Sequence, residues 1–362
     1  MNDVDVVIIG GGLAGCSLAW QCRLRGLCAL MIDAPRKDSS SRVAAGLVTP
    51  ITGSRHAVSW RWHEFFSMAD AFYRRLEAIT GQVFWHVAPA WRAFDSPQEA
   101  ESWALRWSGH ASNGLSIHDL SGEDQLRAWF PWGGIQMEPA ARLDAPMYLD
   151  ATRESFERDG SWIQAVLDAD HELIPEDDAF RIPRFGIKAR WIVLCQGYWA
   201  RTNRWFDSLP LHPARGDILE IACPRIRLDH VLHRNGWIVP LTHDRYLLGA
   251  TYDRHGLDTS PAHPIADQWR RELCRRWTLM TGGSMESLEA KILSHRIAVR
   301  PASYDRHPLM GSHPQHQNLL CLNGLGSKGS LMAPFLSKQL LDWMLYETPV
   351  EATLIWNRRS HS

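Results

Sequence analysis

Three glycines near the N-terminus, Gly10, Gly12 and Gly15, have the spacing of a loop that binds the diphosphate of a dinucleotide. Gly10 would make a tight turn, Gly12 would let the backbone approach a pyrophosphate, and Gly15 would let a helix pack closely against a strand. Asp33 could accept a hydrogen bond from a ribose 2′-hydroxyl and would repel the 2′-phosphate of NADP. These residues therefore predict dinucleotide binding, with FAD and NAD both open.

The segments around this loop have the pattern of a strand, a helix and a second strand. Residues 4–9 are an apolar, β-branched run typical of a buried parallel strand. Residues 13–25 predict a helix that ends at Gly26, and residues 28–32 predict the second strand, with Asp33 at its carboxyl end. The free N–H groups of the helix N-terminus would bind the phosphates. The predicted cofactor contacts of this unit are Gly10, Gly12, Leu13, Ala14, Gly15, Asp33 and Ala34.

The composition is that of an ordinary globular protein with room for two domains. The chain has 362 residues, of which 45% are hydrophobic and 22% are charged. Its formal net charge of −1 does not favour nucleic acid or an anionic membrane as a partner. Because the chain enters its first strand at once and has no run of 18 apolar residues, we expect neither a signal peptide nor a membrane span.

Seven cysteines are scattered along the chain, and none form a C-x-x-C pair. An odd number of cysteines in a chain without a leader is typical of reduced core thiols rather than of disulfides or a zinc site. We therefore predict a cytoplasmic protein without a metal.

Tryptophan is unusually frequent, with 18 residues, eight of them between Trp60 and Trp132. One interpretation is packing in the core and against helix faces. The other is an aromatic-lined pocket for an apolar or aromatic substrate. Both interpretations are open from the sequence.

The stretch RVAAGLVTP at 42–50 is rich in small residues that would leave room for a flat group beside the backbone. Following the dinucleotide-binding unit, it resembles the segment beside the flavin ring in the D-amino-acid oxidase superfamily of flavoproteins. The motifs are most similar to those of glycine oxidase and of the oxidase half of a bifunctional enzyme that processes carboxymethylaminomethyl-uridine in tRNA. The resemblance implies non-covalent FAD as the cofactor, with contacts from Ser40, Ser41, Ala45, Gly46 and Leu47.

Two further segments are similar to motifs of the same superfamily. Residues 191–200, WIVLCQGYWA, predict a buried strand followed by a turn at Gly197 that passes close to the cofactor. Residues 237–251 predict a hairpin. In this hairpin Trp237 stands where glycine oxidase-like members have a tyrosine near the substrate. The substrate therefore meets a different side chain here.

The most specific motif lies in residues 297–311, IAVRPASYDRHPLMG, and 319–335, LLCLNGLGSKGSLMAPF. By resemblance, Arg300 matches the arginine that clamps the substrate carboxylate, for which a planar guanidinium is well suited. Lys328 lies in the glycine loop, either as a second anion contact or near flavin N1. The residues expected to act on the substrate are Arg300, Lys328 and Trp237. The expected FAD contacts in the loop are Leu325, Gly326, Ser327, Lys328, Gly329, Ser330 and Leu331.

The resemblance implies an α/β fold, α+β overall, in which a Rossmann-type FAD-binding domain is interleaved with an antiparallel β-sheet substrate domain. From the positions of the motifs we expect residues 1–80, 142–213 and 296–362 to form the FAD-binding domain. Residues 81–141 and 214–295 would form the substrate-binding domain.

Periodicity and end signals predict the other elements. The predicted helices are 57–79, 96–107, 144–158, 266–280 and 330–346. Strands are predicted within 82–95 and 162–167, a turn-rich stretch at 129–137 and a frayed tail at 358–362. Residues expected at the substrate entrance are Arg55, His56, Trp60 and Arg61. By resemblance, Val166 or Leu167 would contact the adenine.

The resemblance implies an amino-acid or amine oxidoreductase that oxidises a C–N bond by hydride transfer to flavin N5, with hydrolysis of the imine. The expected partner is a small-molecule amine or amino acid that has a carboxylate and is larger than glycine. Two alternatives are a tRNA-modifying FAD oxidoreductase acting on a carboxymethylamino group, because GLGSKG resembles that enzyme's loop, and a non-catalytic flavoprotein. The near-neutral charge disfavours RNA.

Overall fold

The computed structural model describes residues 2–36, 38–53, 57–107, 115–120 and 129–358. Strands β1 to β21 and helices α1 to α8 are numbered in chain order. Over the described ranges, each helix is too short or too polar to cross a membrane. The seven cysteines are free thiols.

A mixed sheet of eight strands is built around β1 (Asn2–Ile9), which is buried on both faces. Val6 and Ile8 pack into one hydrophobic cluster, and Val7 and Ile9 into another on the opposite face. This two-sided burial explains the continuous apolar run in the sequence. The other strands are β2 (Ala29–Asp33), β11 (Trp162–Gln164), β12 (Ile174–Pro175), β13 (Phe180–Ile182), β14 (Ile187–Leu194), β20 (Leu309–His313) and β21 (His316–Asn323).

The central pairs of this sheet are parallel, in the order β11–β2–β1–β14–β21. Strands β12, β13 and β20 add antiparallel pairs. The predicted unit of strand, helix and strand is confirmed, with α1 between β1 and β2. One face of the sheet packs against α1, α3, α5 and α8. The helices are α1 (Leu13–Leu24), α2 (Ser40–Val43), α3 (Trp62–Thr80), α4 (Pro97–Trp107), α5 (Ala145–Arg158), α6 (Ala169–Glu172), α7 (Pro264–Thr281) and α8 (Gly329–Tyr346).

A second sheet of eight strands is antiparallel apart from one parallel pair, β7 with β16. Its order is β19–β15–β18–β17–β16–β7–β9–β8. The predicted hairpin is confirmed as β17 paired with β18. The strands are β7 (Ala90–Ala93), β8 (Ser116–Asp119), β9 (Gly134–Glu138), β15 (Ala214–Ala222), β16 (Val231–His233), β17 (Trp237–Thr242), β18 (Arg245–Gly249) and β19 (Lys291–Arg300).

The two faces of the antiparallel sheet have different partners. One face packs against Leu273 and Trp277 of α7. The other face includes Ile218 and Ala298 and packs against Val43, at the end of α2. The site described below therefore lies between the two large sheets.

Two small sheets complete the structure. They consist of β3 (Leu47–Val48), β6 (Trp85–Val87) and β10 (Ala141–Leu143), and of β4 (Ile51–Thr52) with β5 (Ala57–Val58).

Three predicted segments differ from the observed elements. Helix α3 begins at Trp62, not at residue 57, because residues 57–58 pair with β4. The stretch 129–137 was predicted to be turn-rich, but its second half is β9, which lies between β7 and β8. Arg358 is not frayed, since its guanidinium donates 2.7 Å hydrogen bonds to Asp305. Residues 359–362 of the predicted tail lie outside the described part of the chain.

Candidate functional site

Two joined cavities lie at the carboxyl ends of the parallel strands, the edge where open α/β sheets bind ligands. The glycine-turn cavity, of about 440 Å³, covers the turn between β1 and α1. The central cavity, of about 150 Å³, lies between the N-terminus of α8 and the antiparallel sheet. The residues that line both cavities are Gly12, Ser40, Ser41, Cys195 and Gly197.

The turn before α1 requires glycine at two of its positions. Gly10 has φ of +112°, and a Cβ there would lie 2.4 Å from the carbonyl oxygen of Cys195. A Cβ on Gly15 would lie 1.9 Å from the carbonyl oxygen of Gly10. Gly15 is absent from the described cavity linings, so it acts through the close packing of α1. Gly12 and Gly10 line the glycine-turn cavity.

Asp33 lies at the end of β2 and lines the glycine-turn cavity together with Ala34. Its Oδ1 accepts a 2.7 Å hydrogen bond from the Gly11 N–H. Burial raises the pKa of the Asp33 carboxyl group, and this hydrogen bond acts in the opposite direction. Helix α1 has no cap from Gly12 itself, and the N–H of its first residue, Leu13, donates a 3.1 Å hydrogen bond to Ser41 Oγ. This end of the helix therefore suits a ligand with phosphates beside a hydroxyl-bearing sugar.

Arg36 and Trp199 line the glycine-turn cavity and were not singled out as site residues from the sequence, unlike Val166 and Leu167. The Arg36 guanidinium lies 4.0 Å from the ring centroid of Trp199, a cation–π contact. Trp199 closes the motif that contains Gly197, so its aromatic side chain was the one available signal. Val166 and Leu167 both line this cavity.

The segment before and within β3 lines the central cavity with Ala45, Gly46 and Leu47. Gly46 has φ of +74°, and a Cβ there would lie 1.7 Å from the carbonyl oxygen of Leu143. The Leu143 N–H donates a 2.9 Å hydrogen bond to the Gly46 carbonyl. Glycine at this position thus fixes the path of a segment that runs between the sheets. Leu13 and Ala14 of α1 line the same cavity.

The loop before α8 forms the opposite wall of the central cavity. A Cβ on Gly329 would lie 2.9 Å from Leu13 Cδ1, so the two helix N-termini approach closely. Helix α8 also begins without a side-chain cap. Its N-terminal N–H groups and helix dipole therefore favour negative charge in this cavity. The loop residues in the lining are Leu325, Gly326, Ser327, Gly329 and Ser330.

A third cavity, of about 580 Å³, adjoins the central cavity and is called the arginine-rich cavity. Lys328 and Leu331, predicted as flavin contacts, line this cavity and are absent from the described linings of the other two. The residues shared with the central cavity are Leu47, Trp237, Ala250, Arg300 and Ser327.

Arg300, the last residue of β19, lies where the central and arginine-rich cavities meet. Its Nη1 donates to the carbonyls of Arg215 at 3.4 Å and Thr251 at 3.2 Å. Burial lowers the pKa of its guanidinium. Since no carboxylate of a described residue lies within 4.0 Å, this cation is available to an anionic ligand.

A buried ion pair supports the backbone that holds Arg300. Arg215 donates to both Asp217 oxygens, at 2.9 and 3.0 Å, and both side chains are fully buried. Asp217 also accepts hydrogen bonds of 2.9 Å from Thr251 Oγ1 and His295 Nε2. Burial acts to raise the pKa of Asp217, but the hydrogen bonds outweigh it and the pKa is lowered. Asp217 is therefore a carboxylate, and its ion pair fixes the carbonyls that accept from Arg300.

Lys328 directly precedes α8, and its Nζ donates a 2.7 Å hydrogen bond to Ser59 Oγ. Burial lowers the pKa of its ammonium group to about 8. Within the described ranges, no carboxylate pairs with it. Lys328 and Arg300 thus provide two cations in one cavity. Trp237 lies across Gly249, where a Cβ would be 2.6 Å from the indole ring, and forms a wall between the central and arginine-rich cavities.

Other expected site residues lie elsewhere or outside the described part of the chain. Arg61 pairs with Glu64 and Glu351, and the Trp60 ring packs edge-on against Phe65. Neither Trp60 nor Arg61 lines any of the three described cavities. Arg55 and His56 lie outside the described residues. Their partners hold Trp60 and Arg61 beside α3, and their place at a substrate entrance stays a prediction.

Seven of the eight tryptophans from Trp60 to Trp132 pack in or against clusters of the core, and Trp132 is 48% exposed. Trp62 is 2% exposed and Trp85 is 4% exposed. None of the eight lines the three cavities as described. The interpretation as a tryptophan-lined pocket is thus wrong for this region.

Comparison with known proteins assigns the chain to a family. Residues 5–343 match the family DAO, described as FAD dependent oxidoreductase. The chain is 29% identical over 350 residues to the tRNA 5-methylaminomethyl-2-thiouridine biosynthesis bifunctional protein MnmC of a Caulobacter species, covering 92% of this chain and 53% of that protein. It is 26% identical over 365 residues to the bifunctional protein ThiO/ThiG of a Nostoc species, covering 93% and 52%. The chain spans about half the length of these curated relatives.

Solved structures share the fold over the whole chain. Glycine oxidase from Geobacillus kaustophilus has a TM-score of 0.81 at 18% identity, covering 99% of this chain and 100% of that one. Iminodiacetate oxidase from a Chelativorans species has a TM-score of 0.78 at 19% identity, covering 98% and 100%. The mixed α/β architecture is therefore that of glycine oxidase-like flavoproteins.

Proposed function

Since the chain belongs to the DAO family of FAD-dependent oxidoreductases, we propose that it oxidises the C–N bond of an amino acid or an N-substituted amino acid. The observation that carries this proposal is Arg300, a half-buried cation without a carboxylate partner among the described residues, at the junction of the central and arginine-rich cavities. A cation in that place suits a substrate carboxylate next to the cofactor site.

The residues of the two joined cavities fit FAD. Asp33 and the N-terminus of α1 suit the ribose and the diphosphate. The small residues Ala45 and Gly46 leave room for a flat ring, and the uncapped N-terminus of α8 favours negative charge beside it. We propose that this binding is non-covalent. When bound, the flavin supplies the acceptor for a hydride at N5.

The side chains of the substrate region would orient the amine. The Arg300 guanidinium would bind the carboxylate through two parallel hydrogen bonds, which fixes the neighbouring C–H bond toward the central cavity. Lys328 would add a second cation, and Trp237 would limit movement of the substrate. Oxidation removes a hydride from carbon and a proton from nitrogen. Water then converts the imine to a carbonyl compound and a free amine.

Two observations support a small amino acid larger than glycine. The names of the structural relatives, glycine oxidase and iminodiacetate oxidase, refer to small amino-acid substrates. The arginine-rich cavity of about 580 Å³ lies in the range of about 300–1,000 Å³ that is typical for sites of larger small molecules. We also propose that the FAD-binding and substrate-binding domains have the interleaved boundaries expected from the sequence, although β10 and β19 cross the boundaries at residues 142 and 296.

A second candidate function is tRNA modification. It is supported by the 29% identity to the Caulobacter protein, whose name refers to tRNA 5-methylaminomethyl-2-thiouridine biosynthesis. In this case a carboxymethylamino group on the RNA would replace the free amino acid at Arg300. The arginines around the cavity would then contact phosphates of the RNA.

Anaerobic loss of the flavin absorbance tests both candidates. The purified holoprotein would be mixed with glycine, sarcosine, D- and L-amino acids and larger N-substituted glycines, and separately with tRNA that contains carboxymethylaminomethyl-uridine. Bleaching by free amino acids at millimolar concentration or below supports the first function. Bleaching only by the tRNA favours the second, and bleaching by neither contradicts both.

A further inference from the structure

The arginine-rich cavity holds more positive charge than one carboxylate requires. Its lining has two carboxylates, and each pairs with one cation of the lining: Glu99 with Arg92 and Asp95 with Arg234, both at 3.3 Å. Its five cationic side chains are Arg92, Arg234, Arg276, Arg300 and Lys328. The whole chain has a formal net charge of −1, so this concentration of cations is local. Arg300 and Lys328 have no carboxylate partner among the described residues, and Arg276 shares Glu272 with Arg275. The lining therefore keeps a surplus of positive charge that an anionic ligand can compensate.

A row of side chains extends across the antiparallel sheet away from Trp237. Trp237 of β17 pairs with His233 of β16, which pairs with Arg92 of β7. Directly paired residues of neighbouring strands point to the same face of a sheet, and strands are about 4.8 Å apart. His233 and Arg92 therefore extend the lining of the cavity roughly 10 Å beyond the strand of Trp237.

Two polar atoms of this row are buried without a hydrogen-bond partner among the described residues. They are Nε2 of His233 and Nε of Arg92. The His233 residue is 8% exposed and lines the cavity. Burial and the neighbouring Arg92 lower the pKa of His233 to about 3, so its ring is neutral at pH 7. Unpaired buried polar atoms are rare in folded proteins and indicate a missing partner.

Arg276 of α7 enters the cavity beside Arg300. Its Nη1 donates a 3.3 Å hydrogen bond to the Ala250 carbonyl, and Arg300 donates to the next carbonyl, that of Thr251. The two guanidinium groups therefore bind consecutive peptide groups at the edge of one cavity. Arg276 Nε pairs with Glu272 at 2.9 Å, while its Nη2 has no hydrogen-bond partner among the described residues.

We propose that the substrate has a second acidic group, bound by a subsite of Arg92, His233 and Arg276, which makes it an amino- or iminodicarboxylate. The inference rests on the proposed function, because it assumes that Arg300 binds the first carboxylate. Arg276 would bind the second carboxylate of a shorter dicarboxylate, and the row of His233 and Arg92 would bind that of a longer one. Each guanidinium would add a charge-assisted hydrogen bond to the second carboxylate.

Matched substrate pairs test the subsite. Anaerobic bleaching of the holoprotein would compare iminodiacetate with sarcosine, and glutamate with glutamine in both enantiomers. In one of these pairs we expect kcat/KM to be at least about tenfold higher for the dicarboxylate. This factor is the effect of one charge-assisted contact. Arg276→Met should reduce this preference by about the same factor. Arg275→Met is the matched control, because Arg275 pairs with the same Glu272 but is exposed and lies outside the described cavity lining.

A binding measurement separates the subsite from the oxidation. Diglycolate has an ether oxygen in place of the amine of iminodiacetate, and methoxyacetate lacks its second carboxylate. Calorimetry with the holoprotein should show at least about tenfold tighter binding of diglycolate, reduced by Arg276→Met and retained by Arg275→Met.

Three outcomes have distinct meanings. Equal bleaching and equal binding within each pair would overturn the subsite and leave the proposed function standing. If no amine bleaches the flavin, the proposed function fails, and equal binding of diglycolate and methoxyacetate would then reject the subsite as well. Bleaching only by modified tRNA would overturn the small dicarboxylate in favour of an RNA ligand.

Discussion

The guanidinium of Arg300 lies against the backbone of Gly216, where a Cβ would be only 2.2 Å from its Nη2. Gly216 belongs to β15 and is paired with Ala298, two residues before Arg300 on β19. The glycine thus provides the space in which the proposed carboxylate clamp lies flat on the sheet. A Cβ at this position would meet the end of the flexible Arg300 side chain and not the backbone. A substitution of Gly216 can therefore affect substrate binding without affecting folding.

Replacing Gly216 with alanine is expected to displace the guanidinium and leave the fold in place. The efficiency of substrate oxidation, kcat/KM, should fall by at least about tenfold, while FAD content and melting temperature stay close to those of the wild type. The double variant Gly216→Ala/Arg300→Met should be no worse than Arg300→Met alone, since both changes act through one contact. Additive losses would show that Gly216 acts by another route.

Arg300→Met removes the clamp itself. We expect a loss of about 1.5–3 kcal/mol of binding, at least about tenfold in kcat/KM, for a substrate with a carboxylate. Arg300→Lys should recover only part, because an ammonium group cannot form two parallel hydrogen bonds. FAD content, measured by absorbance, should be retained.

Arg296→Met is the matched control for this substitution. Arg296 lies on the same strand, pairs with Glu220 and is absent from the described cavity linings. Its kcat/KM should equal that of the wild type. Full turnover by Arg300→Met, or loss of its flavin, would contradict the assignment of Arg300 and direct attention to Lys328.

The sequence predicted those parts of the site that lie in short local patterns. Gly10, Gly15 and Asp33 belong to one unit of strand, helix and strand, and Arg300 belongs to a short motif. Local patterns carry such information because turns, caps and buried strands depend on near neighbours. The predicted hairpin around Trp237 was found for the same reason.

The second subsite could not be predicted because its members are far apart in the chain. Arg92, His233 and Arg276 come from β7, β16 and α7, and each alone is an ordinary polar residue on an element. The parallel pairing of β7 with β16 brings two of them together, and such pairing leaves no local signature. The predicted start of α3 was wrong because residues 57–58 form β5, which pairs with β4 instead of extending the helix.

Gly26 and Gly46 have the same φ of +74°, so substituting each one separates the cost of backbone strain from that of steric contact. A Cβ on Gly46 would lie 1.7 Å from the Leu143 carbonyl, whereas a Cβ on Gly26 meets no atom within 4 Å. Gly26→Ala should cost about 1–2 kcal/mol for the left-handed backbone alone. Gly46→Ala should destabilise more and lower FAD content, as measured by thermal unfolding and absorbance. Equal effects of the two substitutions would argue against a tightly fixed segment at Gly46.

The FAD is expected to be released by acid precipitation, with the yellow colour in the supernatant. Cys195 is the one cysteine in the described linings of the glycine-turn and central cavities, and histidine is absent from both linings as described. Burial raises the pKa of the Cys195 thiol, so the reactive thiolate is disfavoured. Cys195→Ser should release the same amount of flavin. Colour retained on the precipitated wild type but not on Cys195→Ser would instead indicate a covalent bond.

The buried ammonium group of Lys328 should make stability depend on pH in a definite direction. Its pKa is about 8 in the folded chain, lowered by burial from the ordinary value of 10.5. Below pH 8 the group is charged in both states, so the full cost of burying the charge is present. Between pH 8 and 10.5 unfolding takes up a proton, and the folded state therefore gains stability as the pH rises. Lys328→Met should be more stable than the wild type at pH 7, and this advantage should shrink by pH 10.

Thermal unfolding of the holoprotein at pH 7 and pH 10 measures this difference. Lys338→Met is the control, because Lys338 lies on α8, has a side chain that is 43% exposed and pairs with Asp342 at 2.6 Å. Its melting temperature should differ from the wild type by a similar amount at both pH values. If the stability difference between Lys328→Met and the wild type is the same at pH 7 and pH 10, the ammonium group has in solution a partner that stabilises its charge. In that case the affinity for diglycolate should stay constant as the pH rises through 8. If Lys328 instead has no such partner and binds the ligand, the affinity should weaken, because the ammonium group loses its charge above pH 8.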